Sequence, residues 1–287
     1  MVIDIYQPGF SPAEVGIRFP DLVEAQVSST LVFDIETIPD VAGLRVLHEL
    51  DDDLSDAEVA EFAFQKQRAK NGSDFLPLHL QRVVVISYVL RDHEKFMVRS
   101  LAEPESNEAQ IIQRFFDGIE KFTPQLVSWN GGGFDLPVLH YRGLIHGITA
   151  PRYWEMGEGD YRDSRDFKWN NYISRYHSRH LDLMDLLAMY QPRAAAPLDQ
   201  LAKLMGLPGK QGMAGDAVWG AWQAGRIDEV RDYCETDVVN TYLVYLRFQK
   251  MRGMLTSIEH DAEIAFMRSQ LAALNKPHWQ AFLAPRP

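Results

Sequence analysis

The chain has 287 residues, of which 46% are hydrophobic and 24% charged, and a formal net charge of −11. This composition is ordinary for a globular protein with a substantial core, and the negative charge argues against a protein that coats nucleic acid by bulk electrostatics. No apolar run approaches the ~20 residues needed to cross a bilayer, and no secretory signal is apparent, so we expect a cytoplasmic protein without a membrane partner. The single cysteine, Cys234, excludes a disulfide framework and a cysteine-rich zinc site.

The predicted elements begin with strands and end with helices. Apolar, β-branched runs predict four strands, at residues 31–36, 82–90, 96–101 and 126–129. Capping signals and helical spacing of apolar residues predict helices at 55–70, 106–122, 134–145, 183–190, 198–205, 216–224, 227–251 and 257–274. Residues 150–180 are expected to form loops with short elements.

This order of elements predicts the fold class and its organisation. We expect a single domain over residues 1–287, with an α/β fold of three layers in which helices flank a central mixed sheet. Residues 39–80 are interpreted as an insertion between the first two strands, with an acidic face in water, because residues 49–61 hold seven acids and no Lys or Arg. Residues 255–287 are interpreted as a C-terminal helical extension.

Two acids are embedded in the first predicted strand. Asp34 and Glu36 are two residues apart, so their side chains leave the same face of the strand. Carboxylates in an apolar run are costly to bury unless something neutralises them, and a divalent cation is a natural partner. The ordinary alternative is an acidic pair at a strand end that faces solvent or an arginine.

A glycine loop precedes the third acid. The run Asn130-Gly131-Gly132-Gly133-Phe134-Asp135 permits close approach of a ligand and places Asp135 in the first turn of a helix. Alternatively, Asp135 is simply an N-terminal helix acid after a tight turn. A phosphate-binding nest on the glycines lacks support, because no P-loop Lys-Ser/Thr follows.

The fourth acid lies on a long helix. Tyr233 and Asp237 are four residues apart and therefore neighbours on one helix face, where the carboxylate could hold a metal while the phenol orients water. A half-buried tyrosine beside a solvated aspartate is the ordinary alternative. Asp232 and Glu235 are expected to be exposed charges.

Together these motifs resemble the DEDD (DnaQ-like) superfamily of 3′–5′ exonucleases, in its tyrosine subclass. Phe33-Asp34-Ile35-Glu36-Thr37 is similar to the first motif, Asn130 with Phe134-Asp135 to the second, and Tyr233 with Asp237 to the third. More narrowly, the chain resembles the stand-alone bacterial PolB-like predicted exonucleases, with residues 180–186, 198–202 and 206–210 adding weight. The resemblance covers roughly residues 29–251, interpreted as the exonuclease core.

The resemblance implies a ribonuclease-H-like fold and two divalent ions, Mg²⁺ or Mn²⁺, held by Asp34, Glu36, Asp135 and Asp237. With ions about 4 Å apart, Asp34 would bridge both, while Glu36 and Asp237 would hold the ion that carries the attacking water. Asp135 would serve the leaving-group ion, and Tyr233 would orient the water. The candidate substrate contacts are Thr37, Asn130, Phe134 and Lys210.

The expected activity is removal of nucleoside 5′-monophosphates from the 3′ ends of single-stranded DNA. Residues 141–180 carry eight aromatics and seven basic residues, which could stack on bases and contact phosphates, although an aromatic mini-core is at least as good an interpretation. Alternatives are an exonuclease acting on RNA or short oligonucleotides, a non-catalytic nucleic-acid-binding module, or a partner-binding protein that uses the acidic insertion. The sequence points to no particular protein partner.

Overall fold

A mixed sheet lies at the centre of the computed structural model, which describes residues 29–101, 106–159, 164–210 and 212–284. The strands of this described part are β1 (Thr30–Pro39), β2 (Gln81–Asp92), β3 (Lys95–Ser100), β4 (Gln125–Ser128) and β5 (His180–Asp182). Their order across the sheet is β3-β2-β1-β4-β5. β1 is antiparallel to β2 and parallel to β4, so it is the central strand.

Helices cover both faces of this sheet. The described helices are α1 (Val41–His48), α2 (Asp56–Asn71), α3 (Glu108–Phe122), α4 (Asp135–His146), α5 (Ser164–Phe167), α6 (Leu183–Leu187), α7 (Leu198–Leu204), α8 (Val218–Gln223), α9 (Ile227–Met251), α10 (Ser257–Ala273) and α11 (Pro277–Leu283). Short 3₁₀ turns lie at Leu78–Leu80, Pro192–Ala194 and Gly215–Ala217. No helix of the described part is both long and apolar enough to cross a membrane.

Alternation along β1 assigns its residues to two cores. Phe33 and Ile35 pack with α3 and α4, and the ring of Phe33 lies 5.0 Å from that of Phe115. Val32 points to the other face, where it shares a core with Val238 and Val239 of α9. Because side chains alternate between faces, the acids at positions 34 and 36 point toward α9 as well. The predicted α/β fold of three layers with a mixed sheet is confirmed.

Several short elements differ from the sequence-based prediction. β5 was not predicted as a strand because its three residues are too few to show alternation, and its pairing with β4 creates it. The helix predicted at 183–190 ends at Leu187, and Met189 and Tyr190 adopt positive φ angles. The helices α1 and α11 were missed.

A buried ion network fastens the start of the 39–80 segment to the core. The guanidinium of Arg142 in α4 pairs with Asp40 and with Glu108 of α3, at 2.5 Å from the Glu108 Oε2 atom. Glu108 also accepts a 2.7 Å hydrogen bond from the backbone N–H of Val83. All three charged side chains are buried, which is tolerable only because they are paired. Arg142, one of the seven basic residues of the 141–180 segment, is therefore a structural residue and not a contact for nucleic acid.

Candidate active site

The first two acids lie side by side on the central strand. Asp34 is half-buried and Glu36 is buried, and both face α9. The pairing of β1 with β2 shifts directly after Glu36, because Glu36 lies opposite Val85 whereas Thr37 lies opposite Val83. Such a bulge bends a strand locally and re-aims the side chains next to it. The irregularity thus lies directly beside the two acids, in the middle of β1.

The third acid is tied to the same strand. Asp135, the first residue of α4, accepts a 3.1 Å hydrogen bond from the backbone N–H of Ile35 through its Oδ1 atom. That backbone group lies between the two β1 acids in sequence. The bond therefore brings the second motif against the first, although the two are 100 residues apart.

A further carboxylate, which is not among the predicted site residues, holds the glycine loop by hydrogen bonds. Asp182 accepts hydrogen bonds from the backbone N–H groups of Asn130 and Gly132, at 3.0 and 2.8 Å. A Cβ atom at Gly131 would lie 2.3 Å from the Ser128 Oγ atom, so this position requires glycine. These two amides are bonded to Asp182, so they are not available to bind a phosphate. The loop is therefore interpreted as a structural support for the start of α4.

The fourth acid and the tyrosine lie on α9, and a lysine from an earlier loop contacts both of them. The ammonium of Lys210 donates a short hydrogen bond to the Tyr233 hydroxyl and lies 3.4 Å from the Asp237 Oδ2 atom. The loop carrying Lys210 is fixed, because Asn240 of α9 exchanges hydrogen bonds with the backbone N–H and carbonyl of Gly209. Asp237 and Tyr233 are both buried, unlike the solvated aspartate of the ordinary alternative.

The electrostatics show how tightly the acids are grouped. Burial raises the pKa values of Asp34 and Glu36 well above their usual range, and the charge of Asp237 raises both pKa values further. Burial also raises the pKa of Asp135 to about 7. For Lys210, burial alone would lower the pKa, but the surrounding carboxylates outweigh it and raise the pKa. The site thus accumulates more negative charge than one lysine neutralises.

The donor set fits a hard divalent cation. The Oδ1 atom of Asp237 is buried and has no hydrogen-bond partner among the described residues. Ligand atoms of Asp34, Glu36 and Cys234 lie within 4.8 Å of one another. Carboxylate oxygens are the ligands that Mg²⁺ and Mn²⁺ prefer. Bound cations would supply the charge that these acids lack.

Two residues near the site were not anticipated in these positions. Cys234 is fully buried, and its thiol points at Asp34, 3.5 Å from the carbonyl oxygen and 3.7 Å from the Oδ2 atom. Glu235, expected to be exposed, is buried and bound by Ser100, Lys276 and His278. The expectation for Glu235 was wrong because its partners come from β3 and from the C-terminal residues, which helix periodicity cannot reveal.

The candidate substrate contacts are distributed around the acids. Thr37 donates a 2.9 Å hydrogen bond to Gln81, and Thr37 and Phe134 line a cleft together with Glu36. Asn130 adopts a positive φ of 66° and turns the glycine loop. Lys210 approaches the site acids rather than being a freely solvated lysine.

The aromatic segment at 141–180 forms mainly a small core. Tyr153, Phe167 and Tyr172 are buried against one another, and the guanidiniums of Arg152 and Arg179 lie over the Phe167 ring at 4.3 and 3.9 Å. These contacts favour the interpretation as an aromatic mini-core. Tyr161 lies outside the described residues.

Fold and site together describe a mixed-sheet α/β protein with a buried acidic centre next to an open cleft. Residues 73–286 match the family described as predicted 3′–5′ exonucleases related to the exonuclease domain of PolB. This match covers about three quarters of the chain, so the chain belongs to that family, and the ribonuclease-H-like interpretation of the fold is confirmed. The matched span begins after β1, so Asp34 and Glu36 lie outside it.

Two curated relatives, both from yeasts, are catalytic subunits of DNA polymerase epsilon. The Saccharomyces cerevisiae protein is 38% identical over 66 residues, which cover 21% of this chain and 3% of the relative. The Kluyveromyces lactis protein is 25% identical over 197 residues, covering 56% of this chain and 9% of the relative. The chain therefore spans less than a tenth of either polymerase.

Proposed function

We propose that the chain is a metal-dependent 3′–5′ exonuclease that removes nucleoside 5′-monophosphates from single-stranded DNA. The observation that carries the proposal is the convergence of Asp34, Glu36, Asp135 and Asp237 with Tyr233 and Lys210 at one edge of a cleft. Membership of the exonuclease family and similarity to proteins named DNA polymerase support the activity and the choice of DNA.

The chain's own residues suit such a reaction. When bound, a pair of Mg²⁺ or Mn²⁺ ions supplies an activated water and neutralises charge on the leaving oxygen. The four acids would hold these ions, and the Asp237 Oδ1 atom, which has no hydrogen-bond partner among the described residues, would be available as a ligand. Burial raises the pKa of the Tyr233 hydroxyl, so this group stays protonated and can donate a hydrogen bond to the water. Lys210, which lies beside Tyr233 and Asp237, would meet a phosphate oxygen of the substrate.

The test uses a 5′-labelled single-stranded DNA oligonucleotide with Mn²⁺, Mg²⁺ or EDTA. We expect stepwise shortening from the 3′ end with metal and none with EDTA. Asp34→Asn should lower the rate by about 10³-fold or more, because it removes a ligand from a centre worth several kcal/mol of transition-state stabilisation.

The matched control is Asp185→Asn. Asp185 is not one of the four site acids, and its carboxylate forms an ion pair with Arg175 at a distance of 2.6 Å. This variant should leave the rate nearly unchanged. Full activity of Asp34→Asn and of Asp237→Asn would contradict the proposed site. An RNA oligonucleotide of the same sequence tests the substrate, since faster shortening of RNA would contradict the choice of DNA.

A further inference from the structure

A cleft of about 570 Å³ opens next to the acidic centre. Glu36 and Thr37 of β1 line it, and Phe75, Phe134 and Trp219 contribute aromatic surface. This volume lies within the roughly 300–1,000 Å³ range of pockets that hold small organic ligands. The cleft is therefore large enough to take one nucleotide unit beside the acids.

Phe75 stands out among the lining residues. It comes from the loop after α2, in the 39–80 segment, and it remains 56% exposed although it is a large apolar side chain. Its ring lies 5.7 Å from that of Phe134, the residue directly before the candidate ligand Asp135. The Ser73 hydroxyl accepts a hydrogen bond from the Phe75 backbone N–H at 3.1 Å, which helps to fix the loop. The ring thus lines the cleft, and more than half of the residue's surface remains exposed.

The charge of the cleft indicates which part of a nucleotide it suits. The lining includes the carboxylates of Glu36, Asp74 and Asp216, and no arginine or lysine is among the described residues that line it. Asp74 is paired with Arg68 at 2.8 Å, but Glu36 and Asp216 still make this lining unfavourable for phosphate groups. An uncharged aromatic base, by contrast, gains about 1–3 kcal/mol from stacking on an aromatic side chain.

We infer that Phe75 is a stacking residue for the unpaired terminal base of a nucleic-acid 3′ end. The 39–80 segment would then build the wall of the substrate cleft, in addition to any role of its acidic face in solution. The inference rests on the proposed function, because it places the base next to the acids that would cut the last phosphodiester bond.

The experiment measures equilibrium binding in Ca²⁺, separately from cleavage, for two single-stranded oligonucleotides. One ends in 2-aminopurine and the other in an abasic residue, and they are otherwise identical. Phe75→Ala should weaken binding of the 2-aminopurine strand by about 5- to 150-fold, the range that corresponds to loss of one stacked base. It should leave binding of the abasic strand unchanged. Stacking on an aromatic ring quenches the fluorescence of 2-aminopurine, so Phe75→Ala should also reduce this quenching. Phe75→Trp should restore both the affinity and the quenching.

Phe62→Ala is the matched control. Phe62 lies on α2 in the same segment and is 39% exposed, but its ring contacts His48 and does not line the cleft. The Phe62→Ala variant should bind both strands as tightly as the unaltered protein does. Equal weakening of both strands by Phe75→Ala, or no weakening of either, overturns the inference. A protein that binds with this base dependence but never shortens DNA overturns only the proposed function.

Discussion

Individual residues at the acidic centre bring several carboxylates together in the interior at a cost to stability. Burial raises the pKa values of Asp34, Glu36 and Asp237, the charge of Asp237 adds to the rise at Asp34 and Glu36, and the charge of Lys210 opposes the rise at all three acids. Grouped buried carboxylates are destabilising unless a counter-charge is present. Their presence on β1 and α9, in the interior of the fold, is therefore better explained by function than by packing.

The thiol of Cys234 gives a residue-scale prediction. Burial raises its pKa well above the usual range, and the charges of Asp34 and Glu36 add to this, so the thiol stays protonated and unreactive. We expect alkylation by iodoacetamide at pH 8 to be slower in the folded protein than in urea by about 100-fold or more, because reaction requires opening of the core. Mass spectrometry can follow the reaction cleanly, since the chain has one cysteine.

The labelling experiment has two controls. The urea-unfolded chain provides the fast reference rate, and Cys234→Ser should take up no label at all. Equally rapid labelling of the folded chain would show that the thiol is not enclosed beside Asp34.

The sequence could identify the acids but not the residues that position them. Asp34 and Glu36 stand out because strand geometry places two acids on one face of an apolar run. Tyr233 and Asp237 share a helix face for a similar local reason. Asp182 gives no such signal, because its partners, the amides of Asn130 and Gly132, are about 50 residues away. Glu235 was misjudged for the same reason.

At the scale of elements, long periodic segments were predictable and short ones were not. β1, β2 and α9 carry enough apolar residues to reveal their period. β5 and α11 have three and seven residues, and they owe their structure to β4 and α9, against which they pack. The proposed division into a core at 29–251, an insertion at 39–80 and an extension at 255–287 rests on the position of these elements in the chain.

The C-terminal extension gives a prediction at this scale. Trp279 of α11 is 1% exposed and packs in the same core as Tyr242 and Leu246 of α9. Trp279→Ala should lower the free energy of unfolding by about 3–5 kcal/mol, through lost burial and the cavity left behind. Urea unfolding followed by circular dichroism measures the change.

Trp169→Ala is its control, because Trp169 is 76% exposed. This variant should stay within about 0.5 kcal/mol of the unaltered protein. If both tryptophan variants proved equally stable, α11 would be only loosely attached to α9 and the extension would not support the core.

For the whole molecule, two sets of buried groups oppose each other as the pH changes. The pKa values of Asp34, Glu36, Asp135 and Asp237 are raised on folding, chiefly by burial, so the folded chain binds more protons than the unfolded chain at these positions. Burial lowers the pKa values of His140 and His180 to about 4, so here the unfolded chain binds more protons below about pH 6.5. The acids thus favour folding as the pH falls, and the histidines oppose it.

Between pH 8 and pH 6 the acids should dominate. A group that is protonated only in the folded chain, or only in the unfolded chain, changes the free energy of unfolding by about 1.4 kcal/mol per pH unit. The histidines begin to contribute only near pH 6.5, where they become protonated in the unfolded chain. In EDTA we therefore expect a higher melting temperature at pH 6 than at pH 8, measured by calorimetry. Asp34→Asn should flatten this dependence, because it removes one of the coupled acids.

Divalent ions should reverse this trend. They bind the ionised carboxylates, so protons compete with Mn²⁺, and the stabilisation by Mn²⁺ should be larger at pH 8 than at pH 6. At 100 times its dissociation constant the ion should add about 2.7 kcal/mol per site to the free energy of unfolding. A stability that falls from pH 8 to pH 6 in EDTA, with no response to Mn²⁺ at either pH, would mean that the four acids neither couple in the fold nor form a metal centre.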